Sequence, residues 1–182
     1  MGYLTTAPIS WDRVAYLNRR ASRDGGGAVV TFVGVVRADQ DGRRVVRALF
    51  YEAYPEMAEP LIHRLVNDAR ARWALEGVQI QHRLGPVEVG HISVVVVVAA
   101  QHRAHAYAAS QFLIERIKHD VPIWKREQYD DGTCQWIAGA PELLDVADPS
   151  GADHAHSTSL RAMVSEPFDS SRHLAGLAQG KC

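Results

Sequence analysis

Apolar residues recur along this chain with two periods, and each change of period marks an element. Val14, Leu17 and Ala21 share one side of a helix expected from Ser10 to about Ala21. Ser10 can cap it by accepting an orphan amide, and Asp12 sits near its positive end. Arg23-Asp24-Gly25-Gly26-Gly27 then stops it. Ala28 to Val36 is almost continuously apolar and reads as a strand, with Gly34 marking a close approach to the backbone. The polar turn Asp39-Gln40-Asp41-Gly42 and the alternating segment Val45 to Tyr54 predict that this strand is completed into a hairpin with a longer loop. Pro55 opens a second helix, in which Leu61, Ile62, Leu65, Val66, Ala69 and Trp73 form one apolar stripe and which Gly77 is expected to end. Val78, Ile80, His82 and Leu84 alternate with polar residues, Gly85 to Gly90 turns the chain, and Ile92 to Ala100 returns as the partner strand. The run from Val94 to Val98 is entirely β-branched, which predicts a strand covered on both faces.

A third helix is predicted over Arg103 to His119, with Ala106, Ala109, Leu113 and Ile117 on one face and Phe112 and Ile114 widening it. Pro122 forbids its continuation and pushes Val121 out of the helical region. Ile123 to Tyr129, the turn Asp130-Asp131-Gly132 and Cys134 to Ile137 read as a final short hairpin. Helices and strand pairs thus mix without strict alternation, which predicts an α+β layered domain over residues 1–138. From 139 to 182 the periodicity fails and Ser, Asp, Gly, Ala and His dominate, so that stretch reads as a flexible tail with a short helix near Leu174.

Composition narrows the function. The chain has 182 residues, enough for one domain with a substantial core, and a net charge of −1. No global basic field calls for nucleic acid or an anionic membrane, so any anion site is local. The first ten residues lack a signal peptide's pattern and no run is long enough to span a bilayer, which points to a cytoplasmic protein. Cys134 and Cys182 lack CxxC spacing and suit a reducing compartment rather than a disulfide scaffold. No metal or cofactor framework is visible.

Candidate chemistry gathers at the end of the third helix. Of 20 basic residues only Lys118, Lys125 and Lys181 are lysines, and Lys can lose its proton when desolvated whereas Arg cannot. Lys118 follows Ile117 in the last helical turn, where its stem runs beside the apolar stripe and partial burial would lower its pKa; the alternative is a surface lysine favoured by the helix dipole. Pro122 bends the chain so that Lys125 can line the same pocket, each ammonium depressing the other; the alternative is an exposed position beside Arg126 and Glu127. His102-Arg103 lies where the buried strand gives way to the helix, a common place for anion sites, though spacing alone favours a capping or core-edge histidine and a solvated first-turn arginine. Arg37, past the end of another strand, joins that pocket if the strands are neighbours. His82 reads as a core histidine, Asp153-His154-Ala155-His156 as incidental to the tail, and Cys134 as an inert buried thiol rather than a sulfur carrier.

Taken together, Ala28 to Arg37, Tyr51-Glu52-Ala53-Tyr54-Pro55-Glu56-Met57, His82-Arg83-Leu84-Gly85, His102-Arg103, and Ile117-Lys118 through Pro122-Ile123-Trp124-Lys125-Arg126-Glu127 resemble the large, catalytic subunit of molybdopterin synthase. The resemblance covers about residues 5 to 138. It implies an α/β hammerhead with an added antiparallel sheet, and a homodimer that binds a small ubiquitin-like sulfur carrier at each end, giving a heterotetramer. The carrier's C-terminal Gly-Gly thiocarboxylate would enter the active site, and two sulfurs would pass to cyclic pyranopterin monophosphate to form the molybdopterin dithiolene. By motif, Lys118 and Lys125 resemble the family's active-site lysines, and Arg37, His102 and Arg103 its phosphate and pterin contacts.

That chemistry fits the residues. A thiocarboxylate is already a nucleophile, so the enzyme need supply only a positive pocket and groups that move protons. Two features depart from the family pattern: Trp136-Ile137-Ala138-Gly139-Ala140 lacks a basic residue after the tryptophan, and the stretch after 138 has no inherited role. The alternatives are a non-catalytic dimeric docking module for the carrier, or a phosphate-ester lyase or acyltransferase that needs no carrier.

Overall fold

The computed structural model describes residues 2–23 and 25–137; the expectations for 139–182 lie outside these residues. In chain order the elements are β1 (Leu4–Thr5), α1 (Trp11–Ala21), β2 (Ala28–Val35), β3 (Gln40–Asp41), β4 (Arg44–Ala53), α2 (Pro55–Arg72), β5 (Leu75–Arg83), β6 (Gly85–Glu88), β7 (Ile92–Ala100), α3 (Arg103–Asp120), β8 (Ile123–Tyr129) and β9 (Cys134–Ile137). They form the expected α+β arrangement of two sheets.

The first sheet has the order β1-β5-β7-β2, parallel only between β1 and β5. All nine residues of β7 are buried because helices cover both faces of the sheet. Val94, Val96 and Val98 meet Ile62, Leu65, Val66 and Ala69 of α2 and Ala109, Leu113 and Ile117 of α3. Their alternates Val95, Val97 and Ala99 meet Val14, Leu17 and Ala21 of α1. The Ser10 hydroxyl accepts from the Arg13 amide at 3.2 Å, as its capping position requires.

The second sheet runs β3-β4-β8-β9, with β6 also paired to β4. The hairpin expected between Ala28–Val36 and Val45–Tyr54 does not form. β2 lies along β7, with Ala28 opposite Ala100, while β4 pairs with β3, β6 and β8 in the other sheet. The physical reason is pattern: the nearly all-apolar β2 belongs beside buried β7, whereas β4, partly exposed along its length, suits an outer sheet.

Two glycines also read differently from expectation. Gly77 does not end α2, which stops at Arg72, but sits inside β5, where an added Cβ would lie 2.1 Å from the Ala21 carbonyl oxygen. It lets α1 press onto the strand. Gly85 begins a strand rather than only a turn: at φ +81° it carries the chain from β5 in the first sheet into β6 in the second, directly opposite Tyr51. Gly34 meets its expectation, since a Cβ there would lie 2.6 Å from Val94 Cγ1.

Candidate active site

The site begins with two strand registers. Tyr51 of β4 faces Gly85 on one side and Lys125 of β8 on the other. Opposed residues project to the same side of a sheet, so Tyr51 and Lys125 share a face. Arg126 takes the opposite face, its guanidinium 5.1 Å from the Phe50 ring and 5.5 Å from that of Trp136. The Gly85 corner brings β5 to the same place, and the Tyr51 ring meets the His82 ring edge-on with centroids 5.0 Å apart.

His82 is buried, with 7% of its surface exposed. Its Nδ1 lies 2.9 Å from the Arg83 carbonyl oxygen, and because a carbonyl only accepts, Nδ1 carries the proton. Burial pushes its pKa down to about 4, against the Arg83 bond that favours protonation and with a smaller push from the Lys118 charge. The ring is therefore neutral at pH 7, and the Lys118 ammonium is near enough to act on it. Burial also raises the Tyr51 phenol, outweighing its bond with Ser93, whose hydroxyl donates to the Gly34 carbonyl at 3.2 Å.

Lys118 reaches this locus from the last turn of α3, which Pro122 ends: Val121 is extended, and its amide still donates to the Ile117 carbonyl at 3.3 Å. Lys118 is exposed in the single chain, so the partial burial expected of it is not found, while Lys125 is half-buried. Lys125 thus shares a sheet face with Tyr51, and the Lys118 charge acts on His82.

The other three expected residues lie elsewhere in the chain. Arg37 follows β2 at the end paired with Ile92, the same end of the sheet as His82, which faces Val94. Its exposed guanidinium bonds to Asp39 at 3.1 Å rather than to either lysine. His102 is the N-cap of α3, without a side-chain capping bond, and its ring lies 6.5 Å from that of His105. Because β2 and β7 are antiparallel, His102 and Arg103 sit at the opposite end from Arg37. Fifteen helical residues separate Arg103 from Lys118, about 22 Å at 1.5 Å per residue. One chain does not bring His102 and Arg103 to the lysines.

Sequence reasoning missed Tyr51 and treated His82 only as core. Nothing in their spacing announces the pair, since it is made by a corner between two sheets. Cys134 is buried as expected, but it is disulfide-bonded rather than a free thiol. Among the described residues no group of three or more His, Cys, Asp and Glu could hold a metal ion, and no helix is long and apolar enough to cross a membrane.

Known proteins resemble this chain in sequence and fold. The family described as MoaE protein matches residues 4–120. A molybdopterin synthase catalytic subunit from Nostoc sp. is 40% identical over 136 residues, covering 74% of this chain and 80% of that protein. One of the same name from Bacillus subtilis is 37% identical over 148 residues, covering 81% and 90%. Among solved structures, molybdopterin synthase from Staphylococcus aureus is similar with a TM-score of 0.68 and 34% identity, over 75% of this chain and 96% of that one.

Proposed function

This chain belongs to the MoaE protein family, the catalytic subunits of molybdopterin synthase, and from that premise we propose how its own residues carry the reaction. It is a sulfurtransferase of molybdenum cofactor biosynthesis. Its co-substrate is a small ubiquitin-like carrier ending in a Gly-Gly thiocarboxylate, and its acceptor is cyclic pyranopterin monophosphate. The protein works in the cytoplasm as a homodimer that becomes a heterotetramer with two carriers.

Lys118 and Lys125 are the catalytic pair. The observation that carries this is that the Lys118 charge acts on the neutral His82 while Lys125 faces the half-buried Tyr51, whose ring meets that of His82. Lys118, in the exposed last turn of α3, meets the carrier's terminus and moves protons as the sulfur passes to the acceptor and water takes its place on the acyl carbon, leaving the carrier's carboxylate. Lys125, half-buried beside Tyr51, supplies fixed positive charge to the substrate. Neither needs a nucleophile from this chain, since the thiocarboxylate brings its own sulfur.

Arg37, His102 and Arg103 are the phosphate and pterin contacts. The separation of about 22 Å within one chain means that His102 and Arg103 reach the Lys118 site only from a second copy. A site shared between two copies gives the homodimer a chemical reason. Residues 1–138 form the catalytic unit, with 139–182 appended to it.

The test is reconstitution. Purified protein, a thiocarboxylated carrier and cyclic pyranopterin monophosphate together should form the dithiolene, with no product when the carrier ends in an ordinary carboxylate. Turnover without the thiocarboxylate would indicate a carrier-independent lyase; carrier binding without product would indicate a docking module.

A further inference from the structure

We propose that two copies of this chain join edge to edge along β2, antiparallel about a twofold axis at Phe32, and that this pairing assembles the shared site. The inference rests on the reading of Arg37, His102 and Arg103 as contacts of one site. β2 is the terminal strand of the first sheet, and among the described residues its backbone bonds only to β7. Ala28 to Val35 contains no charged residue and no proline, the usual protections of an edge. Val29 and Val35 are 39% and 42% exposed. An apolar edge of this length is a template for a further strand.

The faces fix the register. Phe32 packs on the α2–α3 side of the sheet and Val33 on the α1 side, and a twofold axis normal to the sheet leaves each side in place. Opposed residues share a face, so odd positions meet odd and even meet even. Of the registers this allows, centring on Phe32 sets Val29 opposite Val35 of the second copy, and the exposed valines cover one another on both sides of the axis. The same register sets Arg37 opposite Gly27 of the second copy. An added Cβ at Gly27 would lie 2.5 Å from the Gln101 carbonyl oxygen, so Gly27 lies against the start of Gln101-His102-Arg103. With strands about 4.8 Å apart, Arg37 then stands roughly 10 Å from that corner, within the reach of facing side chains. Arg37, at the His82 end of its own sheet, thereby meets the His102 and Arg103 that a single chain holds at the far end. A carrier strand on the same edge would leave those two residues apart from the lysines, so the occupant is a second copy.

The test uses the full chain. Val29→Cys and Val35→Cys are made singly and together and oxidised with diamide, and peptide mass spectrometry reads which positions are joined. The double variant should form a covalent dimer linking position 29 of one copy to 35 of the other, in at least about tenfold the yield of either single variant, whose like positions lie roughly 20 Å apart. Val29→Lys with Val35→Lys opposes like charges and should weaken the dimer on the order of tenfold by sedimentation, while Val29→Lys with Val35→Glu should restore it. A monomeric wild type, a folded double variant without the 29–35 link, or equal dimerisation of the two charge variants overturns the inference. A covalent pair of Val29→Cys/Arg103→Ala with Val35→Cys/Lys118→Ala separates the two layers. It holds one intact shared site and should turn over at about half the wild-type rate in the reconstituted assay. If it is linked through 29 and 35 yet inactive, the shared-site reading fails and the pairing stands.

Discussion

Lowering the pH from 7 to 4.5 is expected to destabilise the fold through His82. Unfolded, this imidazole titrates near 6.5; folded, burial holds it to about 4. The unfolded chain therefore binds the extra proton, so the stabilisation is complete above pH 6.5 and is lost as the pH falls toward 4. A gap of about 2.5 pH units corresponds to roughly 3 kcal/mol, of which about 2 kcal/mol disappears between pH 7 and 4.5. Carboxylates also titrate there, so the measurement is a difference. Urea unfolding of the wild type and of His82→Phe at pH 7, 6, 5 and 4.5 should give midpoints whose separation shifts by on the order of 1 M against the wild type as the solution is acidified. Lys118→Ala should make the wild-type fall shallower, because the Lys118 charge is one of the causes holding His82 down. Parallel midpoints at every pH for the wild type and His82→Phe would refute a buried, neutral His82.

Gly77→Ala should cost about 1–3 kcal/mol, since the new Cβ meets only backbone of Ala21, at 2.1, 2.8 and 2.9 Å; calorimetry should show a Tm lower by several degrees and activity at 25 °C intact. With a thiol reductant present, so that the Cys134 disulfide is open in both proteins, a chain ending at residue 138 should keep the Tm of the full chain and its turnover in the reconstituted assay. If His102 and Arg103 act across a dimer, inactive Lys118→Ala and Arg103→Ala proteins, unfolded and refolded together, should regain roughly one quarter of wild-type activity, because half of the random dimers then hold one intact site of two. Sites confined to single copies would regain none.

Much of the fold was legible because burial writes itself into periodicity. The valine run of β7 announced a strand covered on both faces, and Pro122 and Ser10 marked helix ends through backbone sterics and capping. Strand partners were less legible. Proximity in sequence favoured a hairpin between β2 and β4, yet which sheet a strand joins depends on how its two faces are filled, and that depends on distant α1, α2 and α3. The site divides in the same way. Lys118 and Lys125 were visible as the unusual choice of Lys in an Arg-rich chain. Tyr51 and His82 were not, because Gly85 brings them together by turning one sheet into the other.

The central claim is that Lys118 works at the carrier's reacting terminus. Its most direct test is Lys118→Ala in the reconstituted reaction, with carrier binding and Tm measured on the same sample. An exposed side chain contributes little to packing, so the variant should keep a wild-type Tm and bind the carrier, while dithiolene formation falls at least about a hundredfold, the scale of a lost general acid/base. Dithiolene formation at the wild-type rate by a folded, carrier-bound Lys118→Ala protein would contradict it.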